Sequence, residues 1–472
     1  MKTILLVLPA LQEVLSHEFR QIKHSLFPPL SLLTLAGLIP REKYRLVVRD
    51  EHVEDVLAEE NVDLVVMTVY ISSAQRAYQI SQHFRAQGAR VFLGGIHPTT
   101  RPEEAIRYAD SVCVGPGESV FPRMLEDFEN DCLKKYYLGD KTTDLSKLPI
   151  ARRGLMNPNK YLIPNTIVAS RGCPYSCDFC YKESFWGENY YKFRPLNDIR
   201  RELDTFNHKF VFFLDDNLMG NRKEARRLFA LLKEYNFIWQ AAASLDAAYT
   251  PGFLAEAYES GCRSLFVGFE SITTANMVKS NKPQNQRYDY EDAIARFHDA
   301  GIMINGSFVY GLDYDDPDVF ARTVAFAIKN KIETATFHIL TPFPGTKLFA
   351  RLEKEGRLLH RDWKKYDTRH AVFRPRLMTT RELEEGYWRS YGDFYSYRSI
   401  LQRSVGLPNP AKRFLYNVGW RKLDRLWNFV IEHDLIEYVL PVFEFILATA
   451  THREDTLAAV PLPESPPQQP RA

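Results

Sequence analysis

The sequence predicts an α/β protein with two sheets. A doubly wound parallel sheet comes first, then six strand–helix units arranged as a partial (β/α)6 barrel, then a helical C-terminal region. Three observations predict this. Short runs rich in Val, Ile, Leu and Phe alternate with amphipathic stretches, the rhythm of parallel strands joined by helices. The rhythm breaks at a polar stretch carrying Pro149, Pro158 and Pro164 and then resumes. A chain of 472 residues, 45% hydrophobic and 25% charged, is globular in composition, which excludes a disordered or collagenous protein.

The first unit, residues 1–145, takes five strands at 3–8, 44–49, 63–69, 90–94 and 111–115 and reads as a doubly wound, Rossmann-like parallel sheet. The opening run MKTILLVLPAL is apolar like a secretory signal. No small-residue cleavage site follows it, and Gln12, Glu13, His17 and Glu18 come soon after, so a buried first strand is expected. A linker covers 146–164. The partial barrel spans 165–375, with strands at 166–170, 210–214, 238–243, 264–269, 303–310 and 334–340. Residues 376–455 read as helical, and Thr380 followed by 382–395 has the pattern of a capped amphipathic helix. The proline-rich end, 456–472, is expected to be disordered. The longest apolar stretch, 435–450, is interrupted by Glu437, Pro441 and Glu444, so no membrane span is predicted and a cytoplasmic location is expected. A net charge of +2 gives no sign of nucleic-acid binding. Both kinds of sheet place ligands at the carboxyl ends of their strands.

Half of the six cysteines fall in one short window, Cys173-Pro-Tyr-Ser-Cys177-Asp-Phe-Cys180, directly after the first barrel strand. Gaps of three and two residues let a loop wrap a small polyhedral ligand. Structural zinc takes four ligands and would need a remote one such as His208 or Cys262. A redox dithiol is the other alternative. An iron–sulfur cluster held by three thiolates leaves one iron open to an outside ligand.

With aromatic Phe179 before the last cysteine, this loop resembles the signature of the radical SAM superfamily, and the resemblance runs from about residue 165 to 373. It implies a [4Fe–4S] cluster on Cys173, Cys177 and Cys180. It also implies S-adenosylmethionine (SAM) on the open iron and a 5′-deoxyadenosyl radical from its one-electron cleavage. SAM contacts are implied for Phe179, for Asp215 and Asp216 in Phe213-Leu-Asp215-Asp216-Asn217, for Glu270 and Ser271 after the fourth strand, and for Ser307 on the fifth. The Asp215–Asn217 segment departs from the family's Gly-Gly-Glu form. Pro342-Phe343-Pro344-Gly345-Thr346 resembles a turn of one branch of the superfamily.

A doubly wound unit ahead of such a barrel resembles the cobalamin-binding domain of the cobalamin-dependent radical SAM branch. That places cobalamin against Tyr70, Ser72 and Ser73 after the third strand, Gly94 and Gly95 after the fourth, and Gly117 and Glu118 after the fifth. Asp50-Glu-His52-Val-Glu-Asp55 imitates the Asp-x-His-x-x-Gly motif of cobalamin mutases but ends in Asp55 and follows the second strand, so His52 is not assigned to cobalt.

The implied activity is methyl transfer from cobalamin to an unactivated carbon of a small-molecule, lipid or isoprenoid substrate. Flavodoxin or ferredoxin is the implied electron donor, and Tyr310 and His338 are candidate bases. A non-methylating ring formation or rearrangement, and a non-enzymatic cobalamin or redox sensor, are the alternatives. A methylthiotransferase is excluded, since the first unit has only Cys113 and Cys132. The aromatic, basic run 414–427 suits peripheral contact with the inner face of a membrane. A helix packed on the barrel is the preferred reading, since burial is the usual fate of an amphipathic helix.

Overall fold

In the computed structural model, the run KTILLVL becomes β1 (Lys2–Leu8), buried along its whole centre. A strand buried on both faces suits the middle of a parallel sheet, and β1 is flanked by β2 (Tyr44–Asp50) and β3 (Leu64–Thr68). The structure describes residues 1–11, 26–142, 144–422, 426, 429–430, 433 and 435–450. β4 (Arg90–Gly94), β5 (Ser111–Val114) and β6 (Tyr136–Leu138) complete an all-parallel sheet of order β2-β1-β3-β4-β5-β6. The sheet has six strands rather than the five expected. β6 is a three-residue edge strand with one buried side chain, too short to show a sequence period. Chain direction across the sheet reverses between β1 and β3, and such a switch point opens a crevice at the strand ends.

The second sheet is also parallel, with order β14-β13-β12-β11-β10-β7. Its strands are β7 (Thr166–Ile167), β10 (Phe210–Phe213), β11 (Ile238–Ala243), β12 (Cys262–Glu270), β13 (Met303–Tyr310) and β14 (Thr334–Ile339). The expected strand 166–170 is corrected to two pieces. β7 holds only two residues, and the chain then leaves the sheet to pair β8 (Ser170–Gly172) with β9 (Tyr191–Phe193) as an antiparallel ribbon. Gly172 sits at φ +81°, where a Cβ would lie within 3 Å of the Tyr190 main chain. Only glycine lets the ribbon close directly before Cys173.

Helices past the barrel cap the opposite, amino-terminal rim of this sheet. The helix Thr380–Phe394 is capped by Thr379, in a capping box with Glu382, rather than by Thr380. Arg413 and Glu333 form a buried ion pair, and Glu333 also accepts from the Ile304 amide at 2.9 Å. Glu444, on the last described helix (Ile436–Ala450), accepts from the Phe210 amide. Tyr416, Leu440, Phe443 and Leu447 are buried against Phe210 and Met303, while Leu415, Tyr438, Val442 and Phe445 face outward. The end expected to be disordered, 456–472, and residues 423–425 and 427 of the basic run lie outside the described residues. Among the described residues no helix is long and apolar enough to cross a membrane.

One face of the first sheet is completed from far down the chain. Phe349, Trp363, Tyr366 and Val372 join the same buried cluster as Val7, Val65 and Leu93. The Trp363 indole donates to Glu104 at 3.0 Å.

Candidate functional site

The carboxyl ends of both sheets open on one cavity of about 650 Å³. Leu8 and Pro9 after β1, Asp50 and His52 after β2, Tyr70–Ser72 after β3 and Gly95 after β4 form one wall. Val168, Ser170, Arg171, Leu214, Asp216 and Phe343 form the other, with Tyr366, Asp367 and Thr368 at the side. Aromatic and aliphatic side chains dominate, as in sites built for large organic ligands. Arg171 ties the walls together: its guanidinium bonds Glu118 at 3.0 Å and lies over the Trp186 ring.

Burial pushes all three loop thiols up, Cys180 to about 12, and Cys173 and Cys177 add to the Cys180 shift by their charge. Such thiols give up their protons to a bound cation rather than to water. Among the described residues no three His, Cys, Asp or Glu side chains converge as the ligands of one ion do. Thiolates on a single zinc would sit about 3.8 Å apart, given a Zn–S bond of about 2.3 Å. An iron–sulfur cluster instead gives each thiolate a corner of its own. Lys182, itself buried, donates to the Cys173 carbonyl and braces the loop.

The barrel interior shows a second fit. The side-chain oxygens of Asn217, Gln284, Asn285 and Asn305 are buried with no partner. Each costs about 1–3 kcal/mol while unpaired. A ligand rich in N–H and O–H donors, such as the amino and ribose groups of SAM, satisfies them. None of these four was assigned from sequence. Asn305 lies on β13 and Asn217 in the loop after β10, whereas Gln284 and Asn285 belong to a carboxamide-rich run, Asn281-Lys-Pro-Gln-Asn-Gln286, that has no hydrophobic period to draw attention.

The residues assigned from sequence divide by placement. Asp216 lines the cavity, its carboxyl raised by burial and drawn back by Arg171 and Lys182. Asp215 is committed elsewhere: its carboxylate accepts from the Ala169 amide at 3.1 Å and from the amide and hydroxyl of Ser170, so it pins the start of β8. Glu270 pairs with buried Lys282 at 2.5 Å. The Ser271 hydroxyl accepts from Asn276 and from the Thr273 amide. Phe179 packs against the barrel core, and Ser307 is buried on β13.

On the cobalamin side Tyr70, Ser72 and Gly95 line the cavity. Ser73 turns its hydroxyl to the Tyr70 carbonyl, Gly94 packs near Cys113, Gly117 lies off the cavity wall and Glu118 holds Arg171. His52 reaches the cavity with Nδ1 held by Asp50 at 2.7 Å. Of the two candidate bases, Tyr310 is packed between the Phe320 and Phe337 rings, and His338 contacts Thr368 at 3.3 Å. Neither lines the cavity.

A doubly wound sheet and a parallel half-barrel sharing one cavity, with a three-thiol loop beside it, define a radical enzyme that uses two large cofactors. The profile of the B12 binding domain matches residues 24–125, that of the radical SAM superfamily matches 167–327, and a domain of unknown function matches 346–453. The chain is 31% identical to bacteriochlorophyllide d C-12(1)-methyltransferase of Chlorobaculum tepidum, over 80% of this chain and 85% of that one. It is 27% identical to the hopanoid C-2 methylase of Rhodopseudomonas palustris, over 71% and 66%. Its fold is similar to that of the cobalamin-dependent S-adenosylmethionine radical enzyme OxsB, at 14% identity and a TM-score of 0.65, covering 95% of this chain and 79% of that one. The chain belongs to the family of cobalamin-dependent radical SAM methyltransferases. Its cofactors are a [4Fe–4S] cluster, SAM and cobalamin.

Proposed function

We propose that this enzyme transfers a methyl group to an unactivated carbon of a large apolar small molecule, a tetrapyrrole before a polycyclic lipid. The observation that carries the reading is the shared cavity. It is lined by Phe27, Tyr70, Tyr181, Phe185, Trp186, Phe343 and Tyr366 and bounded by the ligand-binding ends of both sheets. The bound cofactors supply the hydrogen-abstracting radical and the transferable methyl group, and the chain supplies position and exclusion of water. Cys173, Cys177 and Cys180 hold the cluster. Tyr70, Ser72 and Gly95 form the floor on the cobalamin side. Phe343 and Tyr366 close the substrate side, and Asp216 and Arg171 supply its polar edge.

The tetrapyrrole preference is supported by the bacteriochlorophyllide methyltransferase relative and the lipid alternative by the hopanoid methylase. The test is anaerobic turnover of the reconstituted holoenzyme with SAM carrying a deuterated methyl group, offered bacteriochlorophyllide d and a hopanoid separately. Labelled methyl in the tetrapyrrole is expected. Label in the hopanoid alone moves the assignment to lipids. Release of 5′-deoxyadenosine with an unlabelled, cyclised product replaces methyl transfer with ring formation.

A further inference from the structure

Two carboxamides from distant parts of the barrel each point an N–H at a cluster thiol. Gln284 Nε2 lies 3.8 Å from Cys177 Sγ, and Asn217 Nδ2 lies 3.8 Å from Cys173 Sγ. Both side chains are buried, so neither bond competes with water. They arrive from different elements: Asn217 from the loop after β10, Gln284 from the short helix Pro283–Gln286 after β12. Asn217 also donates to Ser244, whereas among the described residues Gln284 Nε2 has the sulfur alone as its partner. Nearby Lys282 is already neutralised by Glu270. The directional donor left at Cys177 is therefore a neutral amide.

We propose that Gln284, seconded by Asn217, sets the reduction potential of the cluster. Reduction adds one electron to the cluster and no proton. An N–H bonded to a thiolate favours whichever state carries more negative charge on sulfur, which is the reduced one. Gln284 thus raises the potential and eases entry of the electron that SAM cleavage requires. It acts through the cluster and is a positioning residue. The proposal rests on the three-thiolate assignment and not on the identity of the substrate.

The test is a reductive titration of the reconstituted holoenzyme, without substrate, in which EPR reads the reduced cluster and iron analysis reads its occupancy. Gln284→Met keeps length and removes the donor. A fall in midpoint potential of at least 59 mV is expected, equal to a tenfold change for one electron, at four irons per chain. Gln286→Met changes a neighbour on the same helix whose amide bonds the Met277 carbonyl, and it is expected to leave the potential in place. Gln284→Glu, equal in shape, is expected to lower the potential further and gives the reading should Gln284→Met lose iron. An unchanged midpoint in either iron-replete Gln284 variant, or an equal fall in Gln286→Met, overturns the proposal. Zinc in place of iron in the parent protein after anaerobic reconstitution would instead sink the cluster assignment beneath it.

Discussion

Gly95→Ala tests how the cobalamin side of the cavity is built. Gly95 directly follows β4 at φ +99° and ψ −169°, a region that only glycine occupies readily. A Cβ there would sit 2.8 Å from the Val69 nitrogen and 2.9 Å from its oxygen, where ordinary contact begins at 3.4 Å. The backbone strain costs about 1–3 kcal/mol. The overlap is with main chain, so no rotamer change relieves it, and overpacking of that kind adds about 1–3 kcal/mol. Together the penalty is about 4 kcal/mol. Val69 leads directly into Tyr70–Ser72, so relief comes from moving the segment that lines the cavity. If half the penalty falls on the bound state, about 2 kcal/mol, cobalamin binding weakens roughly 30-fold.

The control is Gly88→Ala, at φ +91° with nothing within 4 Å of its Cβ. It carries backbone strain alone, about 1–2 kcal/mol. Hydroxocobalamin titration by absorbance, with thermal unfolding in parallel, reads both variants. Both variants should melt earlier, Gly95→Ala by more, and only Gly95→Ala should lose affinity for cobalamin. Wild-type affinity in Gly95→Ala, or equal weakening in both, refutes the reasoning.

Other perturbations have equally definite outcomes. Cys177→Ala should abolish iron retention after anaerobic reconstitution while cobalamin absorbance survives, read by metal analysis on the gel-filtered protein. Burial raises the Asp215 carboxyl to about 6 from 3.8, so the folded state holds that proton more tightly. Its stabilising effect is full below about pH 4 and is lost as pH rises through 6, about 1.4 kcal/mol between pH 5 and 7.5. Asp215→Asn should remove that slope from unfolding curves of the cofactor-free protein. Glu333→Gln leaves the buried Arg413 charge without its partner and should cost about 3–5 kcal/mol, with the helix Pro410–Lys422 losing protection first in hydrogen exchange.

Both sheets were legible because most of their strands carry a short apolar run between polar or glycine ends. β1 and β3 announce themselves that way. β6 and the β8–β9 ribbon did not, since three-residue strands are chosen by their neighbours rather than by pattern. The cysteine loop was legible because its ligands lie close in sequence and their spacing is itself chemical information. Gln284 meets Cys177 across 107 residues, a pairing that only the folded barrel creates. Asp215 illustrates the reverse limit. A strand-end carboxylate looks ligand-facing in sequence, yet three donors from residues 169 and 170 had already claimed it. Tyr310 likewise sits where function is expected and serves as core.

The borrowed face of the first sheet bears on how the protein is made. β1 to β6 are all synthesised before Phe349, Trp363, Tyr366 and Val372 leave the ribosome. Domains usually fold in order of synthesis, but this one must wait with part of its hydrophobic face bare until the barrel has been translated. That interval is a window for chaperone capture and for aggregation. Residues 1–145 produced alone would keep the window open permanently, so the cobalamin-binding unit is a module in ancestry but not in biogenesis.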